Sequence, residues 1–452
     1  MTAMPEPPVS LWPDPEALGA VTDLYQLTMM VGYHAAGLAD TQATFEMFVR
    51  RLPKGRAYLV FAGLEQAIGD LLRLRFSPRQ VEAIRALPSF AGVDPAFFDV
   101  LANVKFEGDV WAAPEGSVVF ANEPLIRVEA KLPQAQWVET FLLASIGYPT
   151  LVASKAARVV EAAVGRPVID FGLRRGHGPH AGMLAARSAY LAGCAGTSNV
   201  EAAIRLGIPC SGTMGHSWVQ TFDSEEQAFA TFAQTFPDNS TLLVDTYDTL
   251  EGVRHAAAIE PPVQAVRIDS GDLLGLSKAT RAILDAADRS ATKIFGSGDL
   301  DEYSIAKLVQ AGAQYDAFGV GTELITSRDA PALSLVYKLV ALDGEGRIKL
   351  SPGKKTYPLA KQVHRLRDKD GKFSCDMVTR ADEPWEGEPL LVPVVRGGKL
   401  ARPLPTLDQI RERCREQIAA LPESLRGPDA EPTYPLAYSF TLEAEAERLG
   451  VK

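Results

Sequence analysis

Residues 265–324 read AVRIDSGDLLGLSKATRAILDAADRSATKIFGSGDLDEYSIAKLVQAGAQYDAFGVGTEL. Three β-prone runs stand out: Ala265-Val-Arg-Ile-Asp, Lys293-Ile-Phe-Gly-Ser-Gly and Ala317-Phe-Gly-Val-Gly. Helix-length segments of mixed polarity lie between them, and this alternation is the pattern of a parallel α/β architecture. Working outward, four more runs of the same kind appear upstream: Val168-Ile-Asp-Phe-Gly, Cys194-Ala-Gly-Thr, Pro209-Cys-Ser-Gly-Thr and Leu242-Leu-Val-Asp. Each run ends in Gly, Asp, Thr or Ser. Polar and glycine residues gathered at the C-terminal ends of parallel strands are what the active face of a TIM-like barrel requires. Seven candidates instead of eight leave an incomplete or irregular α/β barrel and a regular one equally open, with a doubly wound open sheet as the alternative.

The flanks have another character. Residues 22–37, TDLYQLTMMVGYHAAG, have helical spacing, and strands are expected over 43–49, 58–61, 109–112, 117–120 and 125–128. Helices are expected over 64–74, 137–144 and 154–163. After Leu342 the run Asp343-Gly-Glu-Gly reads as a hairpin loop, strands resume, and a helix covers 407–420. The division expected is an N-terminal α+β domain over 1–150, the barrel over 151–342, and a C-terminal segment over 343–452 that returns to the N-terminal sheet.

A chain of 452 residues with 46% apolar and 23% charged content is long enough for a barrel plus an accessory domain. The 46 basic against 56 acidic residues leave a net charge of −10, which repels a phosphate backbone, so nucleic acid is not the expected partner. A phosphorylated small molecule remains compatible, because backbone N–H groups and a few arginines bind anions locally. No segment reaches the ~18 uninterrupted apolar residues needed to span a bilayer, and the N-terminus lacks a signal-peptide pattern. The four cysteines, Cys194, Cys210, Cys375 and Cys414, form no C-x-x-C pair. The expectation is a cytoplasmic protein without a membrane partner.

The chemistry-bearing residues cluster at the strand ends. Gly296 and Gly298 in one run, and Gly319, Gly321 and Thr322 in another, suit a 5′-phosphate cradle, because glycines let backbone N–H groups approach an anion. The alternative is that they only permit tight turns. Arg267-Ile-Asp-Ser-Gly-Asp, with Gly271 at its turn, places Asp269 and Asp272 where carboxylates could accept ribose hydroxyls or offset charge at an anomeric carbon. They could also hold Mg²⁺ through water, and helix capping is the competing role. His216, in Gly212-Thr-Met-Gly-His-Ser, could be a general base, a nucleophile or a plain loop histidine. Phe171, in Asp170-Phe-Gly-Leu-Arg-Arg, could stack on a flat ring while Arg174 or Arg175 meets a carboxylate or phosphate. His177 and His180 lack helical i,i+4 geometry and a third ligand, so they read as structural, and no direct metal ligand is named.

Together, Thr22-Asp-Leu-Tyr-Gln-Leu-Thr-Met, Phe45–Pro53, Asp170-Phe-Gly-Leu-Arg-Arg, Gly212-Thr-Met-Gly-His-Ser, Arg267-Ile-Asp-Ser-Gly-Asp, Phe318-Gly-Val-Gly-Thr and Leu350-Ser-Pro-Gly-Lys-Lys resemble the nicotinate phosphoribosyltransferase family, in order and over nearly the whole chain. The resemblance implies an irregular TIM-like α/β barrel beside an α/β sandwich-like domain built from both termini, in a homodimer with shared active sites. It implies an ATP-dependent enzyme of the ligase class that makes nicotinate mononucleotide from nicotinate and phosphoribosyl pyrophosphate, the first step of NAD salvage from nicotinic acid, with Mg²⁺ as cofactor and ATP as co-substrate. His216 would become a phosphohistidine. Tyr25 of the partner subunit would stack on the pyridine ring opposite Phe171, and Arg174 would bind the carboxylate or a phosphate. Asp269 and Asp272, with Arg267 and Gly271 beside them, would contact the phosphoribosyl group, while Arg50, Arg328 and Lys354 would meet pyrophosphate.

Nicotinamide-using relatives carry an Asp where Gly196-Thr-Ser-Asn-Val has Ser198. A hydroxyl there can donate to a carboxylate substrate that an aspartate would repel. The rival readings are nicotinamide phosphoribosyltransferase and a sugar-phosphate isomerase or lyase on a similar barrel. A Schiff-base aldolase would need a strand-end lysine, and none of the seven runs supplies one.

Overall fold

All seven runs of the central segment meet in one curled parallel sheet. This computed structural model describes residues 12–350, 356–431 and 433–450. Six runs form strands, in the order Gly196–Thr197, Val168–Asp170, Ala317–Val320, Lys293–Gly296, Ala265–Ile268 and Thr241–Leu243. The seventh adds a parallel bridge from Cys210 to Thr197 at the outer edge. Followed around the sheet, the strands keep cyclic chain order, as in a barrel, with a seam between Cys210 and Thr241–Leu243 that no ladder closes among the described residues. An irregular barrel is therefore the outcome, and helices on its outside, such as Leu273–Ala286 and Glu302–Gln310, cover buried Val266, Ile268, Ile294 and Phe318.

The accessory domain is built on an antiparallel sheet and draws on both ends of the chain. Its seven-stranded sheet runs Glu345–Gly346, Leu335–Leu342, Gln42–Val49, Pro124–Lys131, Asp109–Ala112, Val392–Arg396, Lys399–Leu400. Leu335–Leu342, which the sequence pattern groups with the barrel, pairs antiparallel with Gln42–Val49, from Ala43 opposite Leu342 to Val49 opposite Leu335. The last barrel strand is thus Ala317–Val320. The alternation of Leu335–Leu342 fits a half-buried antiparallel strand, where one face meets Phe45 and Met47 and the other is partly open. The tail beyond Pro422 braces the C-terminal strands. Leu436–Tyr438 pairs parallel with Phe373–Arg380, and Tyr434 stacks on Phe120 while its hydroxyl donates to Asp376.

The two helices expected over 137–144 and 154–163 are one element, Glu139–Ala162, that runs straight through Pro149. A proline inside a helix removes one N–H and orphans the carbonyl four residues back. Here that carbonyl, on Ser145, faces Gly63, where an added Cβ would lie 2.5 Å from the oxygen. Gly63, at φ +93°, packs against Pro149 and lets the helix continue.

The same helix ties the domains together through ion pairs. Lys155 Nζ lies 2.6 Å from Glu302 Oε2 and 3.0 Å from Asp329 Oδ1, and Arg158 Nε is 2.9 Å from Glu302 Oε1. Arg56, fully buried, reaches Asp329 Oδ1 at 3.1 Å and donates to Ser327 Oγ and the Leu151 carbonyl. Such pairs offset their desolvation only with good geometry and further hydrogen bonds, and they fix one docking arrangement.

Candidate functional site

The C-terminal ends of the barrel strands open into a cavity of about 650 Å³, lined by loops from every strand of the sheet. Its floor is a polar cluster. Arg267, on the strand Ala265–Ile268, sends Nε to Ser297 Oγ at 2.7 Å, Nη1 to Thr213 Oγ1 at 3.2 Å and Nη2 to Asp269 Oδ1 at 2.6 Å. Ser297 Oγ also donates to Asp269 Oδ1 at 2.5 Å. Half-burial opposes the charge on Asp269, but the Ser297 hydrogen bond, the Arg267 guanidinium and nearby His216 outweigh it and hold the carboxyl below the usual aspartate range. Asp269 is therefore an anion with its position fixed by charge-assisted bonds.

One wall is aromatic. Phe171 is half-buried, stacked on Phe295 with centroids 5.6 Å apart, and has the Arg267 guanidinium 5.3 Å from its own centroid. Its other support is Gly319, where a Cβ would fall 2.5 Å from the ring, so only glycine lets the ring lie there. Arg174, Arg175 and half-buried Ser198 complete this end. The backbone N–H of Ser198 donates to the Asp170 carbonyl at 2.9 Å, which locks it to the neighbouring strand.

The opposite wall carries His216, the first residue of the short helix His216–Gln220. Its Nδ1 lies 3.1 Å from Thr246 Oγ1. That contact bridges the open seam, joining the segment after Cys210 to the loop after Thr241–Leu243. Gly298, at φ +92°, gives the closest approach in the site: a Cβ there would sit 1.9 Å from the Asp269 carbonyl oxygen. Gly298, Gly319, Gly321 and Thr322 all line the cavity.

Models of the nicotinate phosphoribosyltransferase N-terminal domain, family and C-terminal domain match residues 21–147, 167–379 and 384–444. The chain belongs to this family. It is 49% identical over 436 residues to nicotinate phosphoribosyltransferase pncB2 of Mycobacterium tuberculosis, covering 95% of this chain and 93% of that one. Identity to the Bacillus subtilis nicotinate phosphoribosyltransferase is 41% over 382 residues, 81% of this chain and 77% of the relative. The crystal structure of human nicotinic acid phosphoribosyltransferase superposes with a TM-score of 0.85 at 30% identity, covering 95% of this chain and 100% of the human one.

For a nicotinate phosphoribosyltransferase family member, the cavity assembles most of the residues the motifs single out: Phe171, Arg174, Ser198, His216, Arg267, Asp269, Gly298, Gly319, Gly321 and Thr322. Others stand apart within one chain. Asp272 is exposed at the N-cap position of Leu273–Ala286, where its carboxylate turns over Gly275 and makes no capping bond, and Gly271 beside it, at φ +86°, serves the turn. Gly296 is buried inside its strand against the Tyr315 ring. Arg328 projects into solvent and pairs with Glu323 at 2.7 Å. Arg50 belongs to the accessory sheet, where it lines a separate cavity of about 450 Å³ with Arg51 and Lys361. Its Nε is buried without a hydrogen-bond partner among the described residues. Tyr25, on the helix Leu24–Ala35, is 47% exposed and lines no part of this subunit's barrel cavity. Lys354 lies outside the described residues.

Four residues of this family member's site carry no obvious sequence signal. Thr213 and Ser297 anchor Arg267, Thr246 holds His216, and Asp245 Oδ2 accepts the Asp269 N–H at 3.1 Å and the Ser270 hydroxyl at 2.6 Å. Ser297 between two glycines and Asp245 at the end of Leu-Leu-Val-Asp are strand-end polar residues, and that position is their only hint.

Proposed function

We infer that the chain is a nicotinate phosphoribosyltransferase, converting nicotinate, phosphoribosyl pyrophosphate, ATP and water to nicotinate mononucleotide, pyrophosphate, ADP and phosphate. One observation carries the reading: a single cavity joins an aromatic wall with arginines and a neutral hydroxyl to a histidine and a glycine-rich cradle around a fixed carboxylate. The family relatives support it over a sugar-phosphate isomerase or lyase. The lining also holds three arginines and, among the described residues, no lysine for a Schiff base.

In this reading the pyridine ring lies on Phe171, with its carboxylate toward Arg174 and Ser198. Tyr25 of the partner subunit would cover the ring's other face, which gives its exposure in a single chain a purpose and makes the enzyme a homodimer with shared sites. Arg50 and Lys354 would meet the pyrophosphate. The pyridine nitrogen displaces pyrophosphate at the anomeric carbon, and the Asp269 carboxylate stabilises the oxocarbenium-like charge that develops there. Gly298, Gly319, Gly321 and Thr322 hold the 5′-phosphate with backbone N–H groups.

His216 takes the ATP γ-phosphoryl group. The Thr246 hydroxyl, 3.1 Å from Nδ1, orients the imidazole, and the tautomer that donates Nδ1–H to it leaves the Nε2 lone pair as the nucleophile. Hydrolysis of the phosphohistidine then drives product formation. Among the described residues no three His, Cys, Asp or Glu side chains cluster as a metal cage. A Mg²⁺ ion would be carried by the pyrophosphate with one or two protein oxygens. Asp245, whose Oδ1 is buried without a hydrogen-bond partner among the described residues, offers such an oxygen. Mg²⁺ would neutralise charge on the leaving pyrophosphate. The four free thiols suit a reducing cytoplasm, where we place the enzyme.

The test is product formation followed by mass spectrometry, with nicotinate or nicotinamide, phosphoribosyl pyrophosphate and Mg²⁺, each with and without ATP. Nicotinate mononucleotide is expected from the acid, with an ATP-dependent gain that disappears in His216→Ala. Product from the amide alone, or from neither base, overturns the assignment.

A further inference from the structure

We propose that Asp170 is a positioning residue that ties the turn carrying Phe171 and Arg174 to Ser198 in the base pocket, a proposal that rests on the transfer to nicotinate inferred above. Asp170 ends the strand Val168–Asp170 and is 2% exposed. It contacts no ligand space itself, yet three of its atoms hold the residues that do. Oδ1 accepts the Gly172 N–H at 2.8 Å, Oδ2 accepts the Thr197 hydroxyl at 2.8 Å, and the main-chain carbonyl accepts the Ser198 N–H at 2.9 Å. Thr197 Oγ1 in turn accepts the Asn199 N–H at 3.1 Å.

The two side-chain bonds grip different loops. The one to Gly172 closes the turn that carries Phe171 on one side and Arg174 on the other. The turn is tight, since a Cβ on Gly172 would lie 2.7 Å from Ile325 and 3.0 Å from Asp170 Oδ1. The bond to Thr197 pins the end of the adjacent strand Gly196–Thr197, immediately before Ser198. Phe171 is held from its other side by its N–H bond to the Val320 carbonyl. One carboxylate therefore fixes the placement of the Phe171–Arg174 turn relative to Ser198.

A carboxylate is the group this arrangement requires. Two donors arrive from two directions, and a carboxylate offers an acceptor oxygen to each, while an amide offers one oxygen and one N–H donor. Among the described residues no cation pairs with Asp170, and burial pushes its pKa up against those two hydrogen bonds. A buried carboxylate without a counter-ion is costly in a fold that needs only a hydrophobic strand end. What it provides is precision in a binding pocket, where sub-ångström placement sets affinity for a small planar acid.

The experiment compares Asp170→Asn, Thr197→Val and Thr197→Ser with the wild-type chain in steady-state assays, varying nicotinate and phosphoribosyl pyrophosphate separately, with thermal unfolding alongside. Asp170→Asn and Thr197→Val are expected to raise KM for nicotinate about tenfold, the loss typical of a hydrogen bond to a charged group. KM for phosphoribosyl pyrophosphate should stay within about twofold, since the cradle lies on other strands. Thr197→Ser, which keeps the hydroxyl, should remain close to wild type. A lower unfolding temperature with both KM values unchanged, or an equal rise in KM for both substrates, overturns the proposal by showing a purely structural role. Should Asp170→Asn fail to fold, the Thr197 pair decides, and a silent Thr197→Val overturns it. A wild-type chain that makes no nicotinate mononucleotide overturns the assigned reaction and this proposal together, whereas an active wild type with unselective variants overturns the proposal alone.

Discussion

Gly298→Ala tests whether the cradle is built by backbone contact. At φ +92° an alanine incurs the left-handed penalty of about 1–2 kcal/mol. The new methyl would also lie 1.9 Å from the Asp269 carbonyl oxygen and 2.8 Å from its carbon, so it meets main chain that cannot rotate aside. Relieving that overlap means separating two strand ends, an overpacking cost of roughly 1–3 kcal/mol. The total is about 2–5 kcal/mol. Gly312→Ala is the matched control: φ is +74°, and nothing lies within 4 Å of the added methyl, so only the backbone penalty applies. Urea unfolding of both variants should place Gly298→Ala lower by about 1–3 kcal/mol, the overlap term alone. Because Asp269 moves with the clash, kcat/KM should fall at least about tenfold in Gly298→Ala and stay near wild type in Gly312→Ala. Equal stability of the two variants, or a Gly298→Ala enzyme with full activity, would refute the contact.

Ser198→Asp should raise KM for nicotinate about tenfold or more and improve nicotinamide relative to the acid, because a carboxylate would face the substrate carboxylate; competition between the two bases reads the ratio directly. If Tyr25 of the partner subunit completes each site, Tyr25→Ala and His216→Ala homodimers are each impaired, and subunit exchange between them should restore roughly a quarter of wild-type sites, whereas no recovery rejects sharing. The Asp329 carboxyl is held at about 2, below its ordinary 3.8, by Arg56 and then Lys155 despite the opposing effect of partial burial. A group with a lowered folded pKa contributes stability above its unfolded value and loses it as pH falls toward the folded one. Discounting for its 26% exposed side chain, Asp329→Asn should cost about 1–2 kcal/mol at neutral pH. The difference from wild type should shrink between about pH 4 and pH 2 in urea midpoints.

The barrel was legible because each strand announces its own C-terminal end. Asp170, Thr197, Asp269 and the glycine pairs are local signals, and parallel strands in chain order need no long-range information to be placed. The accessory sheet lacks that property. Leu335–Leu342 belongs beside Gln42–Val49, far away along the chain, and its alternation fits an antiparallel edge or a barrel strand equally well until its partner is known. The continuous helix through Pro149 depends on Gly63 from another segment, so the proline alone argues for a break that does not occur. The site shows the same division. His216 and Asp269 lie in recognisable motifs, but Thr246, Thr213 and Ser297 matter only through the partner each one holds, which spacing along the chain does not record.

Among the described residues the barrel has no eighth strand, and His216 sits at that gap. A closed barrel would place a ladder between the Cys210 edge and Thr241–Leu243; this one leaves a seam, and the chain that would have formed a strand instead turns into Gly212-Thr-Met-Gly and the helix bearing His216. Backbone not engaged in a ladder can place a side chain where strand alternation would not allow it. The His216–Thr246 contact is then the closure of the barrel as well as the setting of the imidazole. Thr246→Val should accordingly do two things at once: lower the ATP-dependent gain in product by freeing the ring, and reduce protection of the 212–220 segment in hydrogen exchange. Loss of the gain without the change in protection would separate the two roles and show that the seam is held by other contacts.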